Sequence, residues 1–173
     1  MRIIAGSRKG HTIHAPKGRD TRPTSDRVRE NVFNILGPVD GATVLDLYAG
    51  SGAMGLEALS RGAARAVFVE SDGDAVRAIE RNLDKLRLQA TVLQRDALAV
   101  LATERTKYDL VLVDPPYDMY PDLETRLARY LPTVLAEGGV VVLETDARVE
   151  PQLPLEQRTS RKYGQARVTV YEH

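Results

Sequence analysis

The stretch LDLYAGSGAMG, residues 45–55, decides the fold of this chain. It places the glycine pattern G-x-G-x-x-G between an apolar segment and a segment with helical spacing, which is the context that this pattern requires. Glycines let the backbone approach a ligand closely, and the first turn of the following helix presents free N–H groups. The stretch therefore predicts an open α/β sheet with a ligand bound at the turn after the first strand.

From residue 43 onward, short apolar segments alternate with amphipathic ones. We predict strands over residues 43–48, 66–70, 91–95, 110–114 and 140–144, with helices near residues 53–61, 72–87, 96–104 and 122–136. Apolar strands that are each followed by a helix indicate a parallel sheet covered on both faces. Two further strands, residues 158–163 and 167–171, are predicted as an antiparallel hairpin. The fold class is therefore α/β, with a seven-stranded and mostly parallel sheet.

The first twenty residues have a different character. Residues 2–16 place isoleucines on either side of a Ser-Arg-Lys-Gly turn, which predicts a small β-hairpin. We therefore divide the chain into an N-terminal hairpin extension, residues 1–20, and one α/β domain, residues 21–173. The domain is predicted to begin with a helix that Thr24 or Ser25 caps and Gly37 ends.

Composition limits the kinds of site that the chain can carry. Its 173 residues, 43% of them hydrophobic, suffice for one globular domain with a continuous core. The lack of cysteine excludes disulfides, thiolate zinc sites and a cysteine nucleophile, and three scattered histidines argue against a metal site, so we predict no metal. We see no signal peptide or membrane span, and we expect a cytoplasmic monomer that acts away from membranes.

The formal net charge is zero, but the charges are unevenly distributed. Residues 1–31 hold eight Lys or Arg and three Asp or Glu, so this segment carries a net charge of +5 and the remainder −5. A basic arm on an acidic body suits a phosphate backbone, although a solvated terminus with no partner explains the same pattern.

Two carboxylates near the glycine turn indicate which ligand it binds. Glu70 follows the second strand, 20 residues beyond Gly50, where a carboxylate can accept both hydroxyls of a ribose. Asp46 lies just ahead of the turn, where it would repel the pyrophosphate of a dinucleotide but attract a cationic ligand. S-adenosylmethionine carries a sulfonium, an amino group and no phosphate, so we predict that it is the cofactor. A structural role for Asp46 at the strand end is the alternative.

Asp96 directly follows the third predicted strand, where its carboxylate could accept from the exocyclic amine of the adenine. An Asp in this position also caps helices for purely structural reasons. The predicted cofactor site consists of these acids, the turn and the adjoining small residues: Asp46, Ala49, Gly50, Ser51, Gly52, Glu70, Ser71, Asp96 and Ala97.

The tetrapeptide Asp114-Pro115-Pro116-Tyr117 closes the fourth predicted strand and should face the same cleft. Consecutive prolines stiffen a loop and leave its carbonyls free to accept. An aromatic amine is a poor nucleophile because its lone pair is delocalised. If the Asp114 carboxylate and the Pro115 carbonyl each accept one N–H, the lone pair turns toward a methyl donor, while Tyr117 offers a surface for stacking the base. The alternative is a turn with an aromatic cover.

Three motifs carry a resemblance to a known family. They are RPTSDRVRE at residues 22–30, the glycine turn at residues 45–52, and the tetrapeptide at residues 114–117, the first being the most specific. With them, the chain resembles the RsmD family of bacterial 16S ribosomal RNA guanine-N2 methyltransferases over nearly its whole length. The resemblance implies a Rossmann-like class I methyltransferase fold with an N-terminal hairpin, and a guanine of the small ribosomal subunit RNA as the substrate.

The resemblance also implies roles for residues outside the two chemical motifs. Arg22, Pro23 and Thr24 would lie against the methionine end of the cofactor. The hairpin residues Arg8, Lys9 and His11 would belong to the surface that faces ribosomal RNA.

Three other functions are compatible with parts of the sequence. An adenine-N6 or cytosine-N4 DNA methyltransferase would use the same tetrapeptide, but the chain has no spare length for reading a groove. A nicotinamide-dependent oxidoreductase would share the glycine turn and Glu70, but leaves Asp46 and Asp114 without a role. An RNA-binding protein without catalytic activity would not need Asp114.

Overall fold

The structure, a computed structural model, describes residues 1–16 and 25–173. Its strands are β1 (Thr43–Leu47), β2 (Arg65–Val69), β3 (Thr91–Leu93), β4 (Tyr108–Val113), β5 (Leu135–Asp146), β6 (Glu156–Tyr163) and β7 (Ala166–Glu172). Its helices are α1 (Asp26–Leu36), α2 (Ala53–Ser60), α3 (Gly73–Leu86), α4 (Ala97–Thr103) and α5 (Tyr120–Tyr130), followed by a short 3₁₀ helix (Leu131–Val134).

The strands form one sheet in the order β3-β2-β1-β4-β5-β7-β6. Strands β1 to β5 pair in parallel, whereas β7 is antiparallel to both β5 and β6. The predicted α/β class, strand number and antiparallel hairpin are confirmed. Because the chain moves from β1 to β2 and β3 on one side, then returns to β4 on the other, the carboxyl ends of β1 and β4 form the switch point where ligands bind in such sheets.

Helices cover the central sheet on both faces, and this explains the apolar strands. On one face, α1, α2 and α3 pack on a core that includes Phe33, Leu56, Phe68 and Ile79. On the other face, α4 and α5 pack on a core that includes Leu101 and other aliphatic residues. The helical spacing in α3 is confirmed, since its predicted apolar positions are all buried: Val76, Ile79, Leu83 and Leu86. None of the helices in the described ranges is long and apolar enough to span a bilayer.

Capping residues set the limits of α1, as the sequence predicts. The Ser25 hydroxyl accepts from the N–H of Val28, and Gly37 ends the helix at φ 73°. Thr24, the other predicted cap, lies outside the described residues.

The predicted helix over residues 122–136 is only partly correct. Helix α5 begins at Tyr120 and ends at Tyr130, and β5 already begins at Leu135. Pro132 has no N–H to donate to the preceding turn, so the chain tightens into the 3₁₀ helix instead of continuing as an α-helix.

The N-terminal segment folds back on itself with less pairing than two strands would make. A single antiparallel bridge joins Arg2 and Thr12. The ladder stops there because the next amides, those of Ile4 and Ala5, donate to the Glu57 carboxylate of α2. Ile3 and Ile13 are buried in the same core as α1 and α2, so the segment packs directly on the domain.

Candidate active site

A cavity of about 660 Å³ opens at the switch point, beyond the carboxyl ends of β1 and β4. The glycine turn, Glu70 and Asp96 line one part of it, and residues 114–119 line another. Of the described residues predicted for the site, those on the cavity wall are Asp46, Ala49, Gly50, Ser51, Glu70, Ser71, Asp96, Ala97, Asp114, Pro115, Pro116 and Tyr117. The structure therefore brings the two chemical motifs to one cavity.

The glycine turn has the backbone conformation that favours glycine. Gly50 and Gly52 have φ angles of 58° and 82°, and Gly52 is the N-cap residue of α2. Gly52, although predicted for the cofactor site, is not among the residues that line the cavity, and its place is packed against Ile79, Phe68 and Leu56. A Cβ on Gly55 would lie 2.4 Å from the Phe68 ring and 2.9 Å from Asp46 Oδ2, so only glycine lets α2 approach the strands this closely.

Asp46 lies on the cavity wall and also has a structural contact. Its Oδ2 accepts the N–H of Gly55 at 3.0 Å, and only 3% of the residue is exposed. Burial raises the pKa of Asp46 to about 8, against the opposing effect of the Gly55 N–H and with a further rise from the charge of Glu70. The carboxyl is therefore mostly neutral at pH 7 until a cation approaches it, at which point ionisation becomes favourable.

Glu70 is oriented by the backbone on both sides. Its Oε1 accepts the N–H of Gly50 at 3.0 Å and its Oε2 accepts the N–H of Asp72 at 2.9 Å. Each carboxylate oxygen can accept more than one hydrogen bond, so both retain capacity for hydroxyl groups of a ligand. The glycine turn and the N-cap residue of α3 thus hold this carboxylate at the cavity.

Asp96 combines the two roles that the sequence leaves open. Its Oδ2 caps α4 by accepting the N–H of Ala99 at 3.0 Å, and the residue also lines the cavity. A cap uses one oxygen, which leaves the other able to accept from a ligand amine.

The tetrapeptide lines the cavity directly after the carboxyl end of β4. Asp114 is partly buried, Pro115 is buried, and Pro116 is exposed. The Tyr117 hydroxyl donates to Glu144 Oε2 at 3.0 Å, which ties the tetrapeptide to β5. Sequence reasoning did not single out Glu144, because its position in an apolar strand does not reveal that it faces Tyr117.

Tyr48, which sequence reasoning also did not single out, has an unusual environment. Its φ of 56° is rare for a residue other than glycine. It lines the cavity, and its buried hydroxyl has no hydrogen-bond partner within residues 1–16 and 25–173. Burial raises the pKa of Tyr48 to about 12, with Asp96 adding to the rise and Arg126 opposing it. A buried unpaired hydroxyl at a cavity suits a polar ligand.

Some of the predicted functional residues of the N-terminal part lie outside the described residues, and the others lie on one turn. Arg22, Pro23 and Thr24 lie outside the described residues. The Arg8 guanidinium donates to the carbonyls of Leu86 and Arg87, at the end of α3. Lys9 and His11 are exposed on the same turn. This turn contacts the C-terminal ends of α2 and α3, whereas Met1, Ala15 and Pro16 reach the cavity.

A buried ion cluster holds the N-terminal segment in this position. Glu57 Oε1 accepts from the Ile4 N–H at 2.8 Å and the Arg29 Nε at 3.4 Å. Glu57 Oε2 accepts from the Ala5 N–H at 3.1 Å and the Arg61 Nε at 2.7 Å. The signal in the sequence is the single charged residue of helix α2, which our sequence analysis overlooked.

The chain matches the model of one protein family, described as "Conserved hypothetical protein 95", over residues 1–172. It is 40% identical to YlbH of Bacillus subtilis, a candidate rRNA methyltransferase, over 99% of this chain and 98% of that protein. It is 44% identical to ribosomal RNA small subunit methyltransferase D of Escherichia coli, in an alignment that covers 68% of this chain and 60% of that protein.

Solved structures that resemble this chain also include methyltransferases. A candidate methyltransferase of Escherichia coli, yhhF, superposes with a TM-score of 0.89 at 34% identity, covering 100% of this chain and 97% of that one. The 16S rRNA N2 G1207 methyltransferase RsmC of Thermus thermophilus, in complex with AdoMet and guanosine, superposes with a TM-score of 0.70 at 27% identity, covering 90% of this chain and 44% of that one. These relatives favour a methyltransferase over an oxidoreductase, and the chain belongs to the RsmD family of S-adenosylmethionine-dependent rRNA methyltransferases.

Proposed function

We propose that the protein transfers a methyl group from S-adenosylmethionine to the exocyclic N2 amine of a guanine in small-subunit ribosomal RNA. The observation that carries this proposal is the cavity shared by the glycine turn and the Asp114–Tyr117 tetrapeptide. A relative named for the small ribosomal subunit and a structural neighbour that binds guanosine support the choice of base and RNA. We further propose that the enzyme acts in the cytoplasm and as a monomer.

The residues on one side of the cavity fit S-adenosylmethionine. Glu70 would accept the ribose hydroxyls, Asp96 the adenine amine, and Asp46 would lie near the cationic methionine part. The buried Tyr48 hydroxyl would gain a polar partner there. When bound, S-adenosylmethionine supplies an electrophilic methyl group, whose bond to sulfur breaks as the new nitrogen–carbon bond forms.

The tetrapeptide prepares the amine for attack. The Asp114 carboxylate and the Pro115 carbonyl each accept one N–H, which directs the nitrogen lone pair into the cavity. The ring of Pro115 fixes φ of that residue, which restricts the backbone that joins these two acceptors. After transfer, the extra proton on nitrogen passes to Asp114 or to water. Tyr117, held by Glu144, supports the target base by stacking, worth about 1–3 kcal/mol.

The raised pKa of Asp46 makes cofactor binding dependent on pH. A cation favours the ionised carboxylate, so binding expels a proton below pH about 8, and affinity should rise with pH by up to about tenfold per unit between pH 6 and 8. The Asp46→Asn variant should bind more weakly and retain only the pH dependence of the cofactor's own amino group. Calorimetric titrations of both proteins at pH 6, 7 and 8 measure this.

None of the three histidines lines the cavity. Wild type and Asp46→Asn carry the same histidines, so these residues do not explain a difference between the pH profiles of the two proteins. Equal pH profiles for wild type and variant would contradict the role assigned to Asp46.

The function is tested with small ribosomal subunits from cells that lack this activity. The purified protein and labelled S-adenosylmethionine are added, and the RNA is digested to nucleosides, with duplex DNA as the parallel substrate. Formation of N2-methylguanosine in the subunits alone is the expected result. Formation of N6-methyladenine or N4-methylcytosine in DNA would contradict the proposed RNA substrate. Absence of methyl transfer to both the subunits and the DNA would contradict the proposed function.

A further inference from the structure

The edge strand β6 differs from the rest of the sheet. No residue of β6 is buried, whereas its neighbour β7 is buried from Ala166 to Tyr171. Strand β6 pairs with β7 on one side only and is the last strand of the sheet. An exposed edge of this kind is open to a partner, and its side chains decide which partner it accepts.

The hairpin, residues 156–172, carries four Lys or Arg and two Glu. Two of its four cations have acidic neighbours: Arg158 lies 3.7 Å from Glu172, and Arg167 lies 3.9 Å from Glu150. Arg161 and Lys162 are exposed and form no ion pair with any residue that the structure describes. The excess positive charge is therefore concentrated at these two consecutive residues.

The register of the hairpin places this charge next to the cavity. Ala166 pairs with Asp146, the last residue of β5, so the hairpin turn lies at the carboxyl edge of the sheet, where the cavity opens. Gln165 of that turn and Val168 of β7 line the cavity. Arg161 is the cross-strand partner of Val168, and Lys162 is the partner of Arg167. Arg161 thus lies one strand away from the cavity wall, and Lys162 is the next residue toward the turn that contains Gln165.

We propose that the hairpin tip, Arg161 to Gln165, binds the phosphate backbone of the RNA beside the target nucleotide. This proposal rests on the proposed function and names a surface that holds the substrate. Cations without acidic partners attract a polyanion because binding releases its condensed counterions. Phosphate contacts position a nucleic acid without reading its sequence, and here they would direct the flanking backbone across the cavity while the target base enters it.

The test compares the double variant R161Q/K162Q with the control R158Q. Arg158 lies on the same strand about 10 Å from Arg161, toward the other edge of the sheet, and already has Glu172 as a partner. All substitutions are on exposed or partly exposed positions, so thermal melting and S-adenosylmethionine binding should match wild type in both proteins.

Binding to deproteinised small-subunit RNA is measured between 50 and 300 mM salt, and methyl transfer is measured on assembled subunits. For the double variant, we expect the Kd for RNA to rise by about tenfold at low salt. The slope of log Kd against log salt should fall by about 1.4, which corresponds to two lost phosphate contacts. KM for subunits should rise while kcat at saturation stays within about twofold. The control should match wild type in every measurement.

An unchanged RNA affinity and salt slope in the double variant would overturn the proposal while leaving the proposed function intact. An effect confined to assembled subunits, absent with bare RNA, would also overturn it and indicate an acidic protein partner. Wild-type protein that methylates no RNA would instead contradict the proposed function itself.

Discussion

Replacement of Asp114 with alanine is expected to lower kcat for methyl transfer by at least about a hundredfold, while the affinity for S-adenosylmethionine stays within about threefold. Asp114 lines the same cavity as the glycine turn and Glu70. Its carboxylate is proposed to orient the amine and to carry the charge that makes this nitrogen nucleophilic, an effect present only when the reaction proceeds. Single-turnover transfer and calorimetric cofactor binding measure the two quantities separately.

Two further variants make the Asp114 result specific. Asp114→Asn retains an acceptor of the same shape without the charge, so its kcat should lie between those of wild type and Asp114→Ala. Asp122→Asn removes an exposed acid from the first turn of α5, away from the cavity wall, and should have nearly wild-type activity. Equal losses of cofactor binding and turnover in Asp114→Ala would contradict the division of roles between the tetrapeptide and the glycine turn.

Replacement of Glu57 with alanine is expected to reduce the free energy of unfolding by about 3–5 kcal/mol, the largest effect on stability that we predict. Neither the Glu57 nor the Arg29 side chain has any exposed surface. Without Glu57, the partners left to the buried guanidinium among the described residues are the Arg2 carbonyl and the partly exposed Asp26, and the amides of Ile4 and Ala5 lose their acceptor. Urea unfolding followed by circular dichroism measures the change.

Glu80→Ala is the matched control for Glu57, since Glu80 is an exposed acid on α3 with no described partner. Its stability should stay within about 0.5 kcal/mol of wild type. Glu57→Gln, which keeps an acceptor oxygen but loses the charge, should lie between the two. A loss below about 1 kcal/mol in Glu57→Ala would show that the ion cluster does not hold the N-terminal segment on the domain.

The sequence alone determined the architecture of the sheet and most of the cavity. Periodicity predicts the order of strands and helices because each apolar strand and each amphipathic face is encoded within a few neighbouring residues. The glycine turn and the Asp114–Tyr117 tetrapeptide each follow a strand, and parallel strands present their carboxyl ends at one edge. Local signals and one rule of topology therefore predict that the two motifs share a cavity.

Only the tertiary structure decided the contacts between segments that are distant in the chain. Glu57 meets the amides of Ile4 and Ala5 more than fifty residues away, and Glu144 meets Tyr117 across neighbouring elements. The same holds for the hairpin tip, whose charge lies beside the cavity because β7 pairs with β5 in one particular register. Such contacts depend on how whole elements pack against one another. The propensities of individual residues carry no information about which distant partner a charged side chain will meet.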